Sequence, residues 1–118
     1  MKMNYVVLGS NDLEASIRFY NSLFEDTRFE QLFSNERMTF WRYKEFTFSV
    51  AEPFDGEEAT NGNGTMVGFN AESKKEVVRL YDKAVELGGT CAGKPAQRGL
   101  KFAAYVRGLD GNKICFFE

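Results

Sequence analysis

The sequence predicts an α+β fold of two βαβββ modules, and three observations carry that expectation. The first is an internal repeat: Val6 aligns with Val67, Leu8 with Phe69, Ile17 with Val78, Tyr20 with Tyr81 and Phe24 with Val85. The second is a pair of helical stretches, each opening on a capping signature and each carrying an apolar stripe. The third is the set of short β-forming runs after each helix. At 118 residues and 13.4 kDa the chain is the size of one ordinary domain, read as module 1 over residues 1–52, a linker over 53–64 and module 2 over 65–118.

The first module opens with a β-former run from Met3 to Leu8. Asn11 is placed to cap the following helix, with Glu14 at the capping-box position. The helix is expected to run to about Phe24, and Leu13, Ile17, Tyr20 and Phe24 share one face at helical spacing. Three strand-like runs follow, near Phe29 to Phe33, Arg37 to Tyr43 and Phe46 to Val50. Pro53 to Gly64 is rich in Pro, Gly, Asn and acids, the composition of a surface connection.

The second module opens at Met66 to Asn70. Ser73 and Glu76 form a capping box, and Val77, Tyr81, Ala84 and Val85 form the apolar stripe. Gly88-Gly89 stops the helix, because glycine accepts the left-handed conformation at a helix C-terminus. Strands are expected near Thr90 to Ala92, Lys101 to Arg107 and Lys113 to Phe117, with Gly108 to Asn112 as a turn.

Composition narrows the function classes. Hydrophobic residues make up 43% and charged residues 27%, a globular balance. The net charge of -2 offers no electrostatic footprint for nucleic acid or an anionic membrane. The longest aliphatic run is Val6-Val7-Leu8, too short to span a bilayer, and the N-terminus has no export-signal pattern. Cys91 and Cys115 are read as free thiols in a reducing cytoplasm. The absence of histidine removes the commonest metal ligand and general base. The aromatic set of 12 Phe, 5 Tyr and 1 Trp is read first as core filling.

Strand alternation divides the sheet residues between two faces. With Lys44-Glu45 as a two-residue hairpin turn, Tyr43 opposes Phe46 and Trp41 opposes Phe48 on the helix-covered face. Phe40, Arg42, Thr47 and Ser49 take the other face. The same rule puts Val6, Leu8, Val67, Phe69, Ile114 and Phe116 under the helices. Tyr5, Val7, Met66, Gly68, Lys113 and Cys115 then point away from them.

The stretches Val7 to Glu14, Phe19-Tyr20, Gly62 to Met66, Leu87 to Cys91 and Asp110 to Lys113 occur in an order that resembles the glyoxalase / bleomycin-resistance / dioxygenase superfamily, the vicinal oxygen chelate proteins. The resemblance spans nearly the whole chain. It implies a single glyoxalase-like domain whose paired modules curl a mixed sheet into a cup with the helices outside, and a homodimer as the assembly. Family metal-ligand positions fall on Tyr5, Met66, Cys115 and either Thr47 or Ser49, none a strong ligand for Mg, Mn or Fe(II). The chain therefore resembles a ligand-poor, glyoxalase-like subgroup, and no cofactor is expected.

The resemblance implies a metal-free cup lined by Tyr5, Val7, Arg42, Thr47, Ser49, Met66, Arg98, Tyr105, Arg107 and Cys115, binding a small anionic or aromatic molecule. The arginines are candidates for a carboxylate or phosphate. Residues 52–64 and 93–100 are candidate lids. One alternative is a superfamily enzyme with an atypical site: a lactoylglutathione lyase-like isomerase, an epimerase or a dioxygenase. It would recruit a metal through Glu52 or Glu118, or use Tyr5 as proton donor or Cys115 as nucleophile beside Arg107 or Lys113. The other is an antibiotic-sequestering resistance protein. A small-molecule ligand and a second copy of the chain are the expected partners; nucleic acid and membrane are not.

Overall fold

A computed structural model describes residues 1–118 in full. The chain forms two compact units, Met1–Thr60 and Asn61–Glu118. The first holds β1 (Tyr5–Gly9), α1 (Leu13–Leu23), β2 (Glu30–Ser34), β3 (Met38–Tyr43) and β4 (Phe46–Ala51). The second repeats the order with β5 (Met66–Asn70), α2 (Lys74–Glu86), β6 (Thr90–Arg98), β7 (Lys101–Arg107) and β8 (Lys113–Phe117). The sheets run β1-β4-β3-β2 and β5-β8-β7-β6. In each, the opening strand lies parallel to the closing one and the rest are antiparallel. The expected α+β pair of βαβββ modules is the observed architecture.

The hairpin register is the one the alternation predicts, with Tyr43 opposite Phe46 and Trp41 opposite Phe48. Lys44 takes φ 55 to close the turn. Under α1 the rings form one cluster. The Tyr20 ring centroid lies 4.8 Å from that of Phe48 and 5.7 Å from that of Trp41, and Phe24 packs edge-on to both Trp41 and Phe48. The Trp41 indole N–H donates to Asn21 Oδ1 at 2.9 Å, so the buried indole leaves no orphan donor.

Several local expectations need correction. The α1 cap is Asp12, which accepts from the Ala15 N–H at 3.1 Å, rather than Asn11. The Asn11 amide is taken by the Ala59 backbone, accepting its N–H at 2.7 Å and donating to its carbonyl at 3.0 Å. Ser16, Phe19 and Leu23 join Leu13 and Tyr20 in the buried α1 stripe, with Ile17 at its margin. In α2, Leu80 is buried and Val85 is exposed. Ser73 does cap α2, accepting from the Glu76 N–H at 3.1 Å. The Glu76 carboxylate turns to Arg79 instead of closing the capping box.

The stretch 93–100, expected as a lid, is mostly strand. β6 continues to Arg98, and only Gly99-Leu100 turns into β7. Pro95 is tolerated because β6 is an edge strand whose register shifts between Gly93 and Ala96, so the missing N–H falls in a bulge.

Candidate functional site

In the first unit, register pairs Tyr5 with Thr47, Val7 with Ser49 and Arg42 with Thr47. All five therefore share the face opposite α1, as expected from alternation. Arg42 Nε donates to Thr47 Oγ1 at 3.1 Å, which fixes a guanidinium over the sheet. Ser49 Oγ is fully buried and has no hydrogen-bond partner. An open groove of about 440 Å³ in this unit lies beside β1 and the end of β4 and is bordered by residues 53–55 and 58–60. Of the five residues, only Val7 lines it; Gly9, Arg37, Glu52, Phe54, Asp55 and Glu58 supply most of the rest. Gly9 is required there, because a Cβ would stand 2.9 Å from Ala59 Cβ. Sequence reasoning marked the loop but missed Arg37, which donates to the Glu52 carbonyl at 2.8 Å and lies 5.5 Å from the Phe54 ring centroid. Nothing local in the sequence links those residues.

In the second unit, register places Gly68 beside Cys115, Cys115 beside Tyr105, and Arg107 beside Lys113. Met66, Tyr105, Arg107 and Cys115 thus share the face opposite α2. Arg98 and Lys113 both lie 5.0 Å from the Tyr105 ring centroid. Arg98 Nη1 donates to the carbonyls of Lys94 and Ala103 at 2.9 and 2.7 Å, and Arg107 Nη1 to that of Gly111 at 2.8 Å. Sequence reasoning left out Lys113 as a ligand-binding residue and also Gly93, whose Cβ would meet the Tyr105 ring at 2.7 Å. The alternation of β8 already pointed Lys113 to this face.

The family model for the Glyoxalase/Bleomycin resistance protein/Dioxygenase superfamily matches residues 2–116. The chain belongs to that superfamily. A glyoxalase/bleomycin resistance protein from Albidiferax ferrireducens T118 is 34% identical, with 98% of this chain and 96% of that one covered at a TM-score of 0.91. A glyoxalase-related enzyme from Fulvimarina pelagi shares the fold at 22% identity and a TM-score of 0.83, over 99% and 87% of the two chains. So does a lactoylglutathione lyase from Agrobacterium tumefaciens, at 18% identity and a TM-score of 0.76, over 99% and 92%. No curated protein matches the chain.

The superfamily's metal does not fit the donors found here. Thr47 is already bonded to the Arg42 guanidinium, which would repel a cation. Burial pushes the Cys115 thiol up, although Arg98 and Lys113 pull the other way, so a thiolate is disfavoured at that position. Tyr5 is an exposed phenol and Met66 a soft thioether. No three His, Cys, Asp or Glu side chains gather where they could hold an ion.

The two thiols should separate in reactivity. Both are free, Cys91 exposed and Cys115 buried. The Tyr81 hydroxyl, the Gly93 N–H and the nearby Lys94 and Arg98 charges hold the Cys91 thiol below its usual range. Iodoacetamide should therefore label Cys91 first, with its rate rising at lower pH than for a free thiol and shifting upward in Tyr81→Phe. Cys115 should label only on unfolding. Peptide mapping at timed quenches checks both.

Proposed function

We propose that this superfamily member is a metal-free binding protein for a small anionic molecule, seated on the open sheet faces and acting as a cytoplasmic homodimer. One observation carries the reading. The four strands of the second sheet contain no acidic residue, but they contain Lys94, Arg98, Lys101, Arg107 and Lys113. The first sheet balances a single Glu30 against a single Arg42. A chain of net charge -2 therefore concentrates uncompensated positive charge on one sheet. The donor chemistry described above supports the absence of a metal from the working protein.

Calorimetric titration with benzoate tests the anion, elemental analysis of the purified protein tests the metal, and sedimentation velocity tests the dimer. Saturable benzoate binding should raise stability by about 2.7 kcal/mol at ~100 Kd. Stoichiometric Mn, Fe, Ni or Zn would turn the reading toward the enzyme. A second reading, sequestration of an organic cation, has the first-unit groove behind it, where Glu52, Asp55 and Glu58 lie with Phe54. Heat from a quaternary ammonium probe with none from benzoate would favour it.

A further inference from the structure

From the second unit's open face we infer a head-group subsite for a doubly charged oxyanion, drawn by Arg98 and Lys113 beside the Tyr105 ring. The inference rests on the anion-binding reading and specifies its chemistry. Both cations lie 5.0 Å from the same ring centroid, so they stand no farther apart than twice that distance. The ring holds them through its quadrupole, and this matters because a quadrupole attracts cations without cancelling their charge. A carboxylate in the same place would neutralise them.

No carboxylate does so. The ion pairs Lys2–Glu45 and Glu76–Arg79 lie away from this face. Lys101 lies over the Phe117 ring, at 5.4 Å from its centroid, in the same manner. Two cations on one small stretch of sheet without a counter-ion make a positive local potential, and that potential attracts an anion carrying two charges more strongly than one carrying a single charge.

The arrangement is also preorganised. Arg98 Nη1 is tied to two backbone carbonyls, which leaves the rest of its guanidinium as a fixed donor edge. A Cβ at position 93 would lie 2.7 Å from the Tyr105 ring and 3.0 Å from Arg98 Nη2, so glycine there is what lets both groups settle on the sheet. Preorganisation of this kind lowers the ordering cost of binding. The ligand class is a small molecule ending in a phosphate-like or dicarboxylate head.

The test is calorimetric titration with inorganic phosphate, at a pH where it is doubly charged, against acetate at matched ionic strength. Phosphate should bind and acetate should not. Arg98→Gln and Lys113→Gln should each weaken phosphate roughly ten- to a hundredfold. Tyr105→Phe should bind like the parent, and Tyr105→Leu should lose most of the affinity while far-UV circular dichroism shows it folded. Equal binding of acetate, or phosphate binding unchanged in both Gln variants, overturns the subsite. Benzoate binding without phosphate binding overturns the subsite and spares the broader reading. Silence from benzoate, phosphate and acetate alike overturns both.

Discussion

Phe48→Ala is expected to destabilise the first unit by about 3–5 kcal/mol. Phe48 has no exposed surface and sits among Tyr20, Phe24 and Trp41, with ring centroids 4.8, 5.6 and 6.1 Å away. Truncation removes the transfer energy of the ring and leaves a cavity that these large, mutually braced rings cannot close. The edge-to-face and tilted geometries add pairwise terms beyond area. Trp41 is the chain's only tryptophan and belongs to this cluster, so its fluorescence reports the first unit directly. A urea midpoint unchanged by Phe48→Ala would show that the ring cluster does not hold the unit together.

Gly89→Ala should destabilise the second unit by about 1–3 kcal/mol through overpacking. A Cβ there would lie 2.7 Å from the Ala84 carbonyl oxygen and 3.0 Å from that of Arg107. Both are backbone atoms, which cannot swing aside as a side-chain tip can. The first belongs to the helix end that the Gly89 N–H itself closes by donating to Ala84 O at 2.8 Å. The second belongs to β7, so relief would disturb the strand that carries Tyr105. Val85→Ala, at an exposed position on the same helix, should stay within about 0.5 kcal/mol. Urea unfolding followed by far-UV circular dichroism should separate the two variants. Equal midpoints would show that the helix end gives way easily.

Legibility followed the range of the interaction. The β3–β4 register was readable because one two-residue turn and strict alternation leave a single pairing that buries all four rings. The α1 cap is not legible locally, because Ala59, far along the chain, takes the Asn11 amide and leaves the cap to Asp12. Helical periodicity points to Val85 and not Leu80, because it gives the width of an apolar stripe, whereas the neighbouring sheet decides its centre. The β6 strand ran past its expected end because only pairing with β7 reveals that Pro95 sits in an edge bulge.

The order of elements and the duplication followed from local propensity and pattern, and the superfamily from the resemblance of short stretches in their order along the chain. So did the division of each sheet into a helix-covered and an open face. Those properties depend on near neighbours along the chain, which a linear sequence displays. The flanking of Tyr105 by two unneutralised cations was decided by folding alone, as were the tethering of Asn11 to Ala59 and the groove behind Phe54. Each joins groups from separate segments. Their meeting depends on register, bulges and the absence of a Cβ at Gly93, quantities that exist only once the strands have paired.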